Sequence, residues 1–224
     1  MKESSKIDSN IIKRFERKER KRKIEVRHRR VYFLIVCEGT KTEPNYFKAF
    51  EKLLPPYTLD VEIIGTAKNT SQVVEETFVR MKNSSKRYDS VWAVFDKDSF
   101  PNHKFDNAIA KGKMKDIKCA YSNEAFELWY ILHFEFLNTG ISRDDYQKHI
   151  ERCLTQKTGK KFKYKKNDSN MFELLNEYGN QNQAIIWAKK LEKLHSGKKY
   201  HEHNPSTRVY ALVEELNNPV FVLE

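Results

Sequence analysis

The segment Val31-Tyr32-Phe33-Leu34-Ile35-Val36-Cys37 is a continuous apolar run rich in β-branched and aromatic residues. A run without alternation suits a strand covered on both faces, as in a parallel sheet. Ser90-Val91-Trp92-Ala93-Val94-Phe95 has the same character, and Leu59–Ile64 and Ile117–Tyr121 supply two further strands. Between them lie helical patterns. Thr42 is placed to cap a helix that Pro44 enters at its first turn and Pro55-Pro56 ends. Two more are expected over 71–81 and 105–113, and a longer one from Glu124 to about Phe136. Strands alternating with helices predict an α/β fold, with a mostly parallel, Rossmann-like sheet flanked by helices. From 138 the pattern turns into helices and polar connectors, a C-terminal helical extension. Its Ala184, Trp187, Ala188, Leu191 and Leu194 form an amphipathic stripe, suited to the core or to docking. Asn204-Pro205-Ser206-Thr207 is read as the capped start of a final helix through Leu216. The chain thus divides into a segment 1–30, a sheet domain 31–137 and a helical region 138–224.

Chemistry in a parallel sheet gathers where strands deliver residues from their C-terminal edges. Here two strands end in acids: the first in Glu38, the third in Asp96 and Asp98. If those strands are neighbours, three carboxylates meet in one cleft, and such a cluster repels itself unless a cation neutralises it. Mg2+, or Mn2+ in its place, prefers hard oxygen ligands of this kind. Lys97, between the aspartates, and Lys41 are candidates to hold a phosphate, set against plain surface charge. No Ser-His-Asp arrangement and no glycine-rich phosphate loop is evident. His201-Glu202-His203 invites a metal reading, but adjacent loop positions rarely converge, and His133 reads as packed.

The formal charge of +11 is uneven: residues 1–30 hold thirteen basic and five acidic side chains, a local balance of +8. Such an arm, with Arg17, Arg20 and Arg22 among its members, either attracts a polyanion by counterion release or merely solubilises the chain. Lys157 to Lys166 reads as a basic loop, with Lys160, Lys161, Lys163, Lys165 and Lys166 as candidate nucleic-acid contacts. Phe162 and Tyr164, interleaved there, either stack on bases or anchor the loop. Cys37, Cys119 and Cys153 are widely spaced in apolar surroundings, which fits no zinc site and is expected of a reducing cytoplasm. No apolar run approaches a membrane span, and the N-terminus does not resemble a signal peptide.

Val36-Cys37-Glu38-Gly39 and Val94-Phe95-Asp96-Lys97-Asp98 resemble the two signature motifs of Toprim domains. More narrowly, Cys37-Glu38-Gly39-Thr40-Lys41-Thr42-Glu43-Pro44-Asn45-Tyr46-Phe47 resembles the opening motif of the RloB family. Ser122-Asn123-Glu124-Ala125-Phe126-Glu127-Leu128-Trp129 and Asn204-Pro205-Ser206-Thr207 fit the same pattern. The resemblance implies a Toprim-like fold and a metal-dependent nuclease acting on RNA or DNA. Glu38 would be its acid/base and metal-proximal group, with Asp96 and Asp98 as metal ligands. It also implies a place in abortive phage defence beside a partner ATPase of the AAA or ABC type, and a homo-oligomer is compatible with it. By analogy with the overcoming-lysogenization-defect nucleases, another Toprim group, Glu43 and Glu127 are candidates for a second metal. A topoisomerase would need a further domain with a nucleophilic tyrosine, and a bacterial primase a cysteine-rich module, neither of which this sequence offers. Two other readings remain: a nucleotide-sugar transferase using the Asp-x-Asp pair, and a non-catalytic adaptor that binds RNA or an ATPase.

The charge distribution generates a first prediction. Deleting residues 1–30 should weaken nucleic-acid binding and flatten its salt dependence while leaving the fold intact. Binding isotherms at several salt concentrations check this, and an unchanged slope would make the arm a solubiliser only.

Overall fold

The computed structural model describes residues 30–53, 59–66 and 69–223. The basic arm with Arg17, Arg20 and Arg22, and the Pro55-Pro56 pair, lie outside the described residues. Five strands form one sheet in the order β2-β1-β3-β4-β5. They are β1 (Val31–Cys37), β2 (Leu59–Gly65), β3 (Ser90–Asp96), β4 (Lys118–Asn123) and β5 (Ser206–Thr207). The first four run parallel, and the two-residue β5 pairs antiparallel with the end of β4. This is the expected Rossmann-like α/β fold.

The apolar runs lack alternation because both faces of the sheet are covered. Phe33, Ile35, Cys37, Trp92 and Val94 face one core, and Leu34, Val36, Val91, Ala93 and Phe95 face the other. The second core is closed by α2 (Thr70–Asn83), through Val73 and Val74, and by α3 (Asn102–Met114), through Phe105 and Ile109. The first is larger. It takes Tyr46, Phe47 and Phe50 from α1 (Thr42–Glu51), and Leu128 to Ile131 from α4 (Glu127–Ile131). It also takes side chains from α5 (Arg143–Thr158), α6 (Met171–Tyr178), α7 (Gln181–Leu194) and α8 (Val209–Asn217). Trp129 is fully buried and its indole N–H donates to the Tyr46 hydroxyl at 2.8 Å, so burial leaves that donor satisfied. No helix among the described residues is long and apolar enough to cross a membrane.

Three local expectations are corrected. The helix expected from Glu124 begins only at Glu127 and is five residues long. The preceding residues extend the end of β4: Asp98 N–H donates to Glu124 O at 3.1 Å, and Ser122 and Asn123 pair with β5. Asn204-Pro205 does not cap the last helix. Ser206-Thr207 instead satisfies the edge of β4, with the Ser122 and Thr207 hydroxyls 2.9 Å apart, and α8 starts at Val209. Thr42 opens α1 but makes no cap, because its hydroxyl donates to Lys166 O at 2.6 Å. The stripe on α7 resolves into buried Ala184, Ala188 and Leu191, a half-buried Trp187 against Phe136, and an exposed Leu194.

Gly65, level with Cys37 in the β1–β2 register, lies under the turn that follows β1. A Cβ there would stand 2.5 Å from Thr40 Cα and 2.6 Å from Gly39 O, both backbone atoms that cannot step aside singly. Gly65→Ala should therefore displace the turn beyond Glu38 and cost about 1–3 kcal/mol. Equilibrium urea unfolding measures the loss, and unchanged stability would mean that the turn yields freely.

Candidate active site

The site begins with strand pairing. The parallel register sets Cys37 beside Val94, and Glu38 N–H continues the ladder to Val94 O at 2.8 Å. Glu38 therefore leaves β1 next to the place where Asp96 ends β3. Asp96 N–H donates to Glu38 Oε2 at 3.2 Å. Thr70, the buried first residue of α2, donates to Asp96 O at 3.3 Å and stands 3.5 Å from Glu38 Oε2. Asp98 follows at the exposed rim with a φ of 40°, a left-handed conformation that aspartate tolerates better than most residues. Glu38 and Asp96 thus stand at the C-terminal ends of adjacent strands, Asp98 follows two residues on, and all three line one cavity.

Two further acids close in from the helices. Glu43, in the first turn of α1, and Glu127, the first residue of α4, are buried and line the same cavity of about 420 Å3. Tyr164 donates its hydroxyl to Glu127 Oε1 at 3.0 Å. Cations ring the acids: Lys41, Lys166 and Arg143 all line the cavity. Arg143 opens α5 behind the N-cap Ser142, whose Oγ accepts from Asp145 N–H at 3.2 Å. Its guanidinium spans both aspartates, at 3.2 Å from Asp96 Oδ2 and 3.1 Å from Asp98 Oδ2.

Lys166 arrives by a traceable route. Gly159 ends α5 in the left-handed region, and the chain then runs back along that helix. Phe162 N–H meets Thr155 Oγ1 at 3.0 Å, and Tyr164 N–H meets Glu151 Oε1 at 3.0 Å. Along this segment the rings of Phe162 and Tyr164 turn into the core, while Lys160, Lys161, Lys163, Lys165 and Lys166 face outward. The aromatics anchor the segment, and Lys163 pairs with Glu151 at 3.1 Å.

The acids are held in costly surroundings. Burial, reinforced by Glu43 and Asp98 and opposed by the Asp96 N–H and Thr70, raises Glu38 from 4.5 to about 7. Burial, then Glu43 and Glu127, pushes Asp96 well above the carboxylate range, with Arg143 pulling the other way. Glu43 is raised too, by burial and by Glu127, against its own backbone N–H, Lys166 and Arg143. No three His, Cys, Asp or Glu side chains among the described residues are grouped to hold one ion as they stand. Arg143 now spans two of the acids such an ion would draw on. The donor set itself, carboxylate oxygens in a self-repelling group, fits a hard divalent cation, and Glu38, Asp96 and Asp98 are the residues that would hold it.

Other candidates lie elsewhere. Lys97 is buried, does not line the cavity, and donates its ammonium to Phe100 O at 2.6 Å, tying the turn after β3. Lys160, Lys161, Lys163 and Lys165 are also outside the cavity lining. His201 pairs with Asp106 at 2.6 Å, and His203 stacks on His195 with ring centroids 5.5 Å apart, so the two serve the fold. His133 is packed against Trp129, its pKa lowered to about 4 by burial. The sequence gives no sign of Arg143 or Thr70 as site residues, and for Tyr164 it offers the anchoring role but not the bond to Glu127. A first-turn helix residue carries no local sign that it will reach a strand end over forty positions away.

The pKa of Glu38 makes stability depend on pH. With its folded value above 4.5, the folded chain holds more protons than the unfolded one between 4.5 and about 7. Metal-free stability attributable to this group therefore falls as pH rises through that window. Glu38→Gln should stabilise the chelator-treated protein by roughly 2–3 kcal/mol at pH 8 and by almost nothing near pH 4. Urea unfolding at the two pH values decides, and an equal effect at both would remove Glu38 from the buried-acid account.

A family model described as RloB-like protein matches residues 33–216. Neither a curated protein nor a solved structure matches the chain. The matched span runs from β1 to the end of α8 and includes every acid and cation of the cavity. On that match, which covers most of its length, the chain belongs to the RloB-like family.

Proposed function

We propose that this protein is a metal-dependent nuclease of the Toprim type that hydrolyses phosphodiester bonds of RNA or DNA. The observation that carries the reading is the convergence of Glu38, Asp96, Asp98, Glu43 and Glu127 on one cavity edged by Lys41, Arg143 and Lys166. A buried acid group is costly unless a cation compensates it, and the cationic rim suits a polyanionic substrate. A divalent ion, Mg2+ or Mn2+, would polarise the phosphoryl group and stabilise charge on the leaving oxygen. Glu43 and Glu127 line the same cavity and would extend the acid set toward a second ion.

The chain's own groups supply the rest. Glu38 has Oε2 engaged by Asp96 N–H, so the proton it takes up or gives back belongs on Oε1. Without the ion, burial raises its pKa to about 7, and a bound cation would lower it and favour the carboxylate that a general base needs. Asp96 N–H, with Thr70 Oγ1 at 3.5 Å, fixes its orientation. Lys41 and Lys166 line the cavity and would hold phosphate oxygens of the substrate.

The family resemblance extends the proposal to an anti-phage effector whose activity is controlled by a partner ATPase. Cleavage by the isolated chain should then be weak, and co-expression with the partner and a phage trigger should be toxic. Asp96→Ala should lower metal-dependent cleavage of end-labelled RNA or DNA by at least about 100-fold. It should also abolish toxicity while the partner is still pulled down. Toxicity and phage protection that survive Asp96→Ala would make the chain a non-catalytic adaptor.

A further inference from the structure

Arg143 is not built like a permanent structural arginine. Its two terminal nitrogens each take one carboxylate oxygen, on Asp96 and on Asp98. Its Nε is buried and has no hydrogen-bond partner among the described residues. A guanidinium carries five N–H donors, so this state leaves most of them uncommitted. The side chain is 28% exposed and stands in the cavity wall, and Asp98 is open to solvent. The two aspartates it bridges belong to the acid set proposed to hold the ion. A guanidinium and a divalent cation compete for the same oxygens and repel each other.

We propose that Arg143 is the resident counter-cation of the metal-free site. Metal displaces it from Asp96 and Asp98, and the freed guanidinium then takes a phosphate of the substrate. The inference rests on the nuclease reading above and adds a positioning residue to it. In the metal-free chain the fork neutralises acids that would otherwise repel one another. Loading the ion requires the two contacts to break, so Arg143 sets the apparent metal affinity. Once released it remains in the cavity wall that Lys41 and Lys166 also line, where a planar fork matches two phosphate oxygens and an ammonium does not.

The test uses the full-length chain, Mn2+ as the probe ion, and Arg143→Gln with Arg143→Lys beside it. Removing the guanidinium removes both a competitor and a repelling charge, so Arg143→Gln should bind Mn2+ about tenfold more tightly, the equivalent of 1.4 kcal/mol. Its thermal midpoint without metal should fall, and Mn2+ should raise it by more than in the native chain. Arg143→Lys can reach only one carboxylate at a time and should shift Mn2+ affinity in the same direction by less, which keeps the test alive if the glutamine variant folds poorly. With Mn2+ bound, a fluorescent oligonucleotide followed by stopped-flow anisotropy, before turnover, should bind several-fold more weakly to Arg143→Gln, with a salt slope reduced by about one. Unchanged or weaker Mn2+ binding in both variants overturns the inference while leaving the metal site standing. Unchanged oligonucleotide affinity overturns its phosphate half. Failure of the native chain to bind Mn2+ at all would instead sink the metal reading on which the inference rests.

Discussion

The parallel pairing of β1 with β3 fixes where everything else must go. Once Cys37 lies beside Val94, Glu38 and Asp96 leave the sheet as neighbours, and Asp96 N–H falls within 3.2 Å of the Glu38 carboxylate. The remaining parts of the cavity answer the problem that this pairing creates. Acids at adjacent strand ends repel one another, and burial amplifies the repulsion by thinning the water between them. Thr70, Arg143, Lys166 and the Tyr164 hydroxyl all sit where they partly offset that cost. The offset is incomplete, since Glu38, Glu43 and Asp96 all stay raised.

A site with that much unfavourable charge has to be held shut by something else, and here it is aromatic packing. Tyr46, Phe47 and Phe126, neighbours in sequence of Glu43 and Glu127, pack edge-to-face with ring centroids between 5.3 and 6.0 Å apart. Edge-to-face pairs of this kind add about 0.5–1.5 kcal/mol each beyond the area they bury. Since α1 carries Tyr46, Phe47 and Glu43, and Phe126 immediately precedes Glu127 at the start of α4, the two helices cannot relieve the repulsion by moving apart without exposing that core.

β1 and β3 are legible because their residues are apolar on both faces, and their ends are legible because acids interrupt those runs. Helix ends were less so. Phe126, Leu128, Trp129 and Ile131 are buried on every side, so the segment shows no amphipathic period from which a start could be read. Thr42 and Asn204-Pro205 have the chemistry of caps. Distant partners intervene instead: the Lys166 carbonyl takes the Thr42 hydroxyl, and the edge of β4 takes Ser206-Thr207, which would have opened the helix. Tertiary demand overrode local preference at both places. Among the site residues, those carried on strand ends or immediately after them could be read from spacing alone. Arg143 and Tyr164 depend on how α5 and the segment behind it fold back, and no local pattern encodes that.

The cavity therefore has two sources. Its acids come from the strand ends and from the first turns of α1 and α4, all within the first 127 residues. Arg143, Lys166 and the Tyr164 hydroxyl come from beyond residue 138, delivered by α5 and the chain that doubles back along it. The Thr42–Lys166 and Tyr164–Glu127 hydrogen bonds stitch the two together at the cavity wall. Any displacement of α5 relative to the sheet changes the charge balance at the acids directly, because its first residue is the cation that spans them. Placing acid and counter-cation on separate elements makes the electrostatics of the cleft sensitive to the packing of the helical region. A partner engaging that region would have a mechanical route to the site without touching a single carboxylate.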